Sequence, residues 1–380
     1  MKPIVIIGSG ISAYTVAKEF RKIDEKTPMH IISMDNAFNY SKPMLSNALA
    51  KSKTPDDLVM SDAAKMAEQL SVKISSKTLV HSIDTEQQTV NLASEVIPYS
   101  KLVLALGGKQ IRLEIDGDAA DQILTVNNLD DYKKFRKAIK GKKDIAILGP
   151  GLIGCEFAND LLQEKYNVTV IGPDKYPLER MLPEAAGKHL QTELEKLGIN
   201  WKLATVVESI NQSGKQIQLQ LSDEAFVLNV DVVLSAVGLK SEVFLASEAN
   251  IKVNRGIVVD KTLQTSVENI YAIGDCAEIN GLVLPYIMPV MLSAKALAKN
   301  LAGEVTEVSY PAMPVVIKTP ACPIAVATPP DLNNGLWQVD ENEQGVKACF
   351  YQSDNLTGFV LTGGRISEKQ SLAKDLPGYF

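Results

Sequence analysis

A chain of 380 residues with 46% apolar and 22% charged residues has enough length for two or three domains, each burying a core of its own. Its 45 acidic against 39 basic side chains leave a net charge of −6, which argues against nucleic-acid or anionic-membrane binding through a basic surface, though a local basic patch for an acidic partner stays open. The longest apolar stretch, Leu282 to Ala294, is shorter than a membrane span and carries two prolines. Four cysteines, Cys155, Cys276, Cys322 and Cys349, never form C-x-x-C, and His30, His81 and His189 do not cluster. The pattern therefore bears no signature of a metal site or redox pair and reads as a reduced, cytoplasmic chain. Met1-Lys2 and the apolar residues behind it resemble a secretory leader only superficially, because the run is brief and ends in a glycine turn.

That turn opens the chain. Pro3-Ile4-Val5-Ile6-Ile7 reads as a buried parallel strand, and Gly8-Ser9-Gly10-Ile11-Ser12-Ala13 passes into a helical pattern as far as Phe20. Gly8 permits the sharp turn, Gly10 clears room for a pyrophosphate, and Ala13 is small enough for helix to pack on strand. The amides that open the helix then face an anion. The next apolar run, Met29 to Met34, ends at Asp35, where a carboxylate can accept from ribose hydroxyls.

A loop follows, Tyr40-Ser41-Lys42-Pro43-Met44-Leu45-Ser46, then a polar, helix-rich stretch to about Gln69. Strands are expected at 72–74, 89–92 and 101–106, the last ending in Ala105-Leu106-Gly107, and a helix from Asp130 to Ile139. The opening motif then recurs. Asp144 to Leu148 reads as a strand, Gly149-Pro150-Gly151-Leu152-Ile153-Gly154 is G-x-G-x-x-G, Cys155-Glu156 enters a helix, and Val168 to Ile171 is the next strand. Two such turns in one chain point to two nucleotide folds. Further on come a helix from Glu184 to Leu197, strands near 201–207, 217–221 and 231–237 (closed by Gly238), a strand at 256–260, and Ile273-Gly274-Asp275. A long helical pattern after Pro289, with Val290 in its first turn, runs to Ala302. From about Ser309 short strands punctuated by prolines lead to a final helix near 367–374, a small α+β domain.

With Gly8/Gly10/Ala13, Ala105-Leu106-Gly107, Gly149/Gly151/Gly154 and Ile273-Gly274-Asp275 in place, the chain resembles, over nearly all its length, the pyridine-nucleotide flavoprotein reductases with two dinucleotide folds. The resemblance implies an α/β fold of two Rossmann-like domains plus the small C-terminal domain. FAD would occupy a discontinuous domain of residues 1–113 and 239–309, NAD(P)H a domain of residues 114–238, and residues 310–380 would complete the chain. It implies that Asp275 holds the ribityl chain and that the helix near Pro289 aims its amides at the flavin ring. Disulfide reductases of this family place a cysteine pair in the loop that here runs from Tyr40 to Ser46 without one, so electrons must leave the flavin directly. The loop is similar to the Tyr-x-x-Pro-x-Leu-Ser segment of reductases for small iron proteins. The overall resemblance implies rubredoxin as acceptor, with a ferredoxin, or oxygen as in cysteine-free NADH oxidases, as the alternatives.

The same resemblance assigns roles residue by residue. Lys42 and Glu156 match a lysine near flavin N5 and the glutamate that pairs with it in relatives, so a Lys42–Glu156 pair is expected to fix a cation there. The remaining cofactor contacts fall on Gly8, Ser9, Gly10, Ile11, Ser12, Ala13, Asp35, Pro43, Ala105, Gly107, Gly149, Gly151, Leu152, Ile153, Gly154, Gly238, Gly274, Asp275, Val290 and Lys318. Lys318 either stands beside the ring or belongs, with Lys42, Arg365, Lys369 and Lys374, to a dock for an acidic redox protein. Nicotinamide choice stays open. The usual acid is missing after Ile171, where Gly172-Pro173-Asp174-Lys175 stands, and Asp174 on one side competes with Lys175 and Arg180 on the other. Gly154 and the resemblance favour NADH. Cys155, Cys276, Tyr271 and Trp337 read as packing residues, and the oligomeric state is not readable.

Overall fold

The computed structural model describes residues 1–222, 227–329 and 331–380. The first glycine turn sits in a parallel five-stranded sheet ordered Ile270–Ala272, Lys101–Leu104, Ile4–Ile7, Met29–Ile32, Lys73–Ser75. Ile4 to Ile7 are buried throughout, as a central parallel strand covered on two faces must be. Helix Ile11–Arg21 lies against helix Ile287–Leu301, and a strand from late in the chain completes a sheet begun at its start.

The second turn repeats the arrangement in another parallel sheet, ordered Leu124–Thr125, Val232–Ser235, Asp144–Leu148, Asn167–Gly172, Asn200–Leu203. The C-terminal region is an antiparallel sheet ordered Val315–Ile317, Ile324–Ala327, Asn355–Thr362, Gly345–Gln352, Leu336–Asn342, followed by helix Lys369–Asp375. The architecture is α/β with two nucleotide folds and a smaller α+β unit, as read from the sequence.

Three differences from the expected elements have local causes. The strand expected over 201–207 is two strands, Asn200–Leu203 and Val207–Ser213, because Ala204 takes a left-handed φ of 54° and its amide turns to the Asp174 carbonyl. The helix expected after Pro289 begins earlier, at Ile287, with Pro289 inside its first turn, where a missing N–H costs nothing. The stretch before Gln69 is mostly 3-10 turns and loop, with one α-helix, Ala63–Leu70, capped by the Asp62 carboxylate on the Lys65 amide.

One apolar core joins segments far apart in sequence. Leu45 and Leu49 of the loop after Tyr40, Phe157 and Leu161 of the second fold, and Ile317, Ile324 and Val326 of the C-terminal sheet share it. Burying a Leu or Ile stabilises by about 1.5–3 kcal/mol, so this shared core holds the three regions in one arrangement.

Candidate functional site

Gly8 has φ +116°, and a Cβ there would lie 2.2 Å from the Ala105 carbonyl oxygen. Only glycine lets the first strand turn while touching the end of its neighbour. Gly10 caps helix Ile11–Arg21 without a side-chain hydrogen bond, and a Cβ added to it meets nothing within 4 Å. Ile11, Ser12 and Ala13 therefore present first-turn amides without internal partners to open space. Asp35 stands across the turn. Its Oδ1 accepts from Ser9 Oγ (2.9 Å), Ser33 Oγ (2.7 Å) and the Ala37 amide (2.8 Å). Among the described residues no donor falls on Oδ2, which leaves that oxygen for a ligand hydroxyl. A pyrophosphate in the space at Gly10, with a ribose at Asp35, fits the donor and acceptor set of this cradle.

The late segment closes on the same turn. Gly274 has φ +83°, and a Cβ there would lie 2.3 Å from Ser12 Oγ, so this glycine seats directly on the first helical turn. Ser241 Oγ donates to the Asp275 carbonyl (2.7 Å), and the Glu242 amide to the Gly107 carbonyl (3.0 Å). Helix Ile287–Leu301 starts without a side-chain cap, and Val290, buried beside Pro289 and Ser293, lines a small hollow with Gly274 and Tyr310.

The second turn is tighter. Gly149 has φ +106°, with a would-be Cβ 2.7 Å from the Ala236 carbonyl oxygen, and a Cβ on Gly154 would lie 2.0 Å from the Gly149 carbonyl oxygen. Gly151 caps helix Leu152–Gln163 and, like Gly10, faces open space. Leu152 and Ile153 follow in the first turn. Gly238, with φ +120°, accepts the Ile111 amide at 3.1 Å, tying the strand end of this fold to the segment that leads into it.

The expected Lys42–Glu156 pair is not formed. Lys42 Nζ stands 3.9 Å from Asp275 Oδ2, and burial lowers its pKa while Asp275 and Asp131 pull it back up. Glu156, 1% exposed, is paired with Lys318 Nζ at 3.1 Å. It also accepts from the Lys318 amide (2.9 Å) and Ser46 Oγ (2.5 Å), while Lys318 Nζ donates to the Pro43 carbonyl. The cause is the C-terminal strand Val315–Ile317, which delivers Lys318 to the face of helix Leu152–Gln163 that Lys42 would have to reach. A buried carboxylate needs a partner, and the nearer ammonium takes it.

Asn159 and Asp160 continue the same helix face, although no motif in the sequence singles them out. The Asp160 carboxylate accepts from the Leu49 and Ala50 amides (3.0 and 2.9 Å), and Asn159 Oδ1 accepts from the Ala321 amide (3.3 Å). Burial raises the Asp160 carboxyl in spite of its two amide donors. The spacing of 156, 159 and 160 puts three polar side chains on one helix face. That was the available signal, since an exposed face needs no such partners.

All four cysteines are buried and free, and burial pushes Cys276 up to about 11 and Cys322 up to about 12. Thiols so protonated are poor nucleophiles, in agreement with a loop that lacks a cysteine pair. Arg365 is not available to a partner. It is 7% exposed and paired with Asp340 (2.9 Å) and Glu368 (2.5 Å). Among the described residues no group of His, Cys, Asp and Glu suits a metal ion, and no helix is long and apolar enough to cross a membrane.

Two glycine turns, each opening a helix onto free space, define a protein with two dinucleotide-binding folds. Residues 2–298 match the Pyridine nucleotide-disulphide oxidoreductase family, and the chain belongs to it. Residues 307–376 match the Rubredoxin binding C-terminal domain. The chain is 46% identical to Rubredoxin-NAD(+) reductase of Alcanivorax borkumensis (99% of each chain) and 45% identical to that of Acinetobacter baylyi (99% of this chain, 98% of the relative). Its fold is similar to NADH:rubredoxin oxidoreductase from Clostridium acetobutylicum, with a TM-score of 0.82 at 24% identity over 98% of this chain and 94% of that one. The protein is an oxidoreductase whose cofactors are FAD and NADH.

Proposed function

We propose that this chain carries electrons from NADH through FAD to rubredoxin. The observation that carries the reading lies in the C-terminal segment. Matched by the rubredoxin-binding family, it sets Lys318 into the junction between the two nucleotide folds, against Pro43 and Glu156. The curated relatives named above, similar along their whole length, support it.

In this reading residues 1–113 with 239–309 hold FAD, residues 114–238 take the nicotinamide nucleotide, and residues 310–380 receive the acceptor. The turn from Gly8 to Gly10 makes room for the FAD pyrophosphate, the free amides of Ile11, Ser12 and Ala13 bind it, and Asp35 Oδ2 binds its ribose. Pro43, Ala105, Gly107, Gly274, Asp275 and the helix carrying Val290 flank the rest. Gly149, Gly151 to Gly154 and Gly238 bind the nicotinamide nucleotide. When bound, the flavin supplies the conversion between hydride acceptance and single-electron release, so one NADH serves two acceptor molecules. Lys42 holds a cation beside Asp275. Glu156 acts through Lys318, which makes it a positioning residue rather than one that touches the cofactor. The setting is the cytoplasm, in keeping with four unpaired thiols.

The test is steady-state NADH oxidation with rubredoxin and, separately, a [2Fe–2S] ferredoxin, following bleaching of each iron centre. Fast reduction of rubredoxin is expected. Preference for the ferredoxin, or rapid turnover with oxygen alone, would replace the acceptor.

A further inference from the structure

Strand Asn167–Gly172 ends where folds of this kind carry the acid that reads the adenosine ribose. Here the last residue is Gly172. A Cβ on it would lie 2.2 Å from Cδ and 2.8 Å from Cγ of Pro150, the residue inside the glycine turn. While Pro150 fills that space, position 172 has no room for a side chain. An acid for the ribose must come from elsewhere.

The chain beyond Gly172 folds back to supply one. Leu178 takes a left-handed φ of 63° and donates its amide to the Pro150 carbonyl (2.9 Å), while the Ala204 amide holds the Asp174 carbonyl (2.9 Å). These two bonds keep residues 174–178 beside the turn at Gly151, where a would-be Cβ meets open space. Two acids stand on this return. The Glu179 carboxylate is engaged, accepting the Lys175 amide at 2.8 Å. Among the described residues, the Asp174 carboxylate has one loose partner, Arg180 Nε at 4.0 Å, and the Arg180 side chain is 86% exposed.

We propose that Asp174 selects NADH over NADPH in place of the acid excluded from position 172, and that Arg180 is the cation it holds in check. The carboxylate accepts from the vicinal hydroxyls of an unphosphorylated ribose and repels a 2′-phosphate. Arg180 would welcome that phosphate once Asp174 is gone. The inference rests on the NADH reading above.

The experiment compares NAD+ and NADP+ binding to the oxidised, FAD-loaded enzyme by calorimetry, alongside kcat/KM for NADH and NADPH. Asp174→Asn keeps the side chain's size and removes its charge; Asp174→Ala removes both. Each is expected to weaken NAD+ and strengthen NADP+ by about tenfold, moving the preference by about 100-fold. Replacing Pro150 by Ala and Gly172 by Asp in the Asp174→Ala background opens the strand end to an acid and is expected to restore NADH preference. A ratio that stays within about twofold of the parent in both single variants overturns the assignment. Failure of the functional reading looks different: a parent enzyme that binds NAD+ but does not reduce rubredoxin with NADH loses its acceptor and leaves Asp174 standing, whereas one that binds neither nucleotide overturns both.

Discussion

The two glycine turns share a motif and differ in what surrounds it. In the first, Ala13 stands at the third small position, the acid Asp35 follows the next strand, and three donors fix one of its oxygens while the other stays open. In the second, a Cβ on Gly154 would strike Gly149, and Pro150 occupies the strand end so fully that Gly172 has no room for a side chain. The first turn therefore has its acid fixed in place beside it before any ligand arrives. The second has no acid at its strand end, and in the proposal above Asp174 on the returning loop supplies one. What separates them is the third small residue, Ala13 against Gly154, and the packing at the end of the second strand.

The largest effects expected come from filling the turns themselves. Gly8→Val places a branched side chain at φ +116° and against the Ala105 carbonyl, at a cost of more than about 3 kcal/mol, and should abolish flavin binding. Gly154→Val should leave the flavin absorbance in place while NADH-driven bleaching is lost, because only the second helix is pushed from its strand. Absorption spectra before and after NADH addition separate the two. If Gly154→Val also empties the flavin site, the turns do not act independently.

A smaller effect concerns the strand before Asp35. His30, 4% exposed and bonded to Ser75 Oγ at 2.8 Å, is pulled down to about 4, first by burial and then by Lys73, against a weaker opposing pull from Glu95. Its folded pKa lies below its unfolded value of 6.5, so between those values the unfolded chain binds more protons and stability rises with pH. Acidification from pH 7 towards 4 should thus cost on the order of 3 kcal/mol at most through this residue. Tm measured across that window should fall less steeply in His30→Gln than in the parent, and parallel curves would clear His30 of the effect.

The smallest effect tests the junction. Glu156→Gln and Lys318→Met should couple by about 1 kcal/mol in chemical denaturation, a modest figure because the Lys318 side chain is 34% exposed and partly screened. Glu156→Gln and Lys42→Met should add to within about 0.5 kcal/mol. Coupling in the second pair instead of the first would return Glu156 to Lys42.

Much of this molecule was legible because its signals are local. Gly8, Gly149 and Gly274 are needed where φ is positive and a neighbouring atom leaves no room, and that requirement is written into the residue type. The alternation of Gln216-Ile217-Gln218-Leu219-Gln220-Leu221 likewise marks a strand with one buried face, Ile217, Leu219 and Leu221 inside. Pairing was not legible to the same degree. Lys42 and Lys318 are both lysines beside proline-containing loops, and nothing near either in sequence says which will meet Glu156.

By itself the sequence determined the two nucleotide folds, the glycine turns, the absence of a cysteine pair in the 40–46 loop, and the acid at Asp35, each set by backbone geometry or residue chemistry within a few positions. Only the tertiary structure decided that Lys318 rather than Lys42 meets Glu156, that Arg365 is spent on internal ion pairs, that Asp160 clasps the 49–50 amides, and that Pro150 empties position 172. Those outcomes depend on which of several similar groups the packed elements bring within reach of a buried site, and burial makes an unpaired charge or polar group there costly.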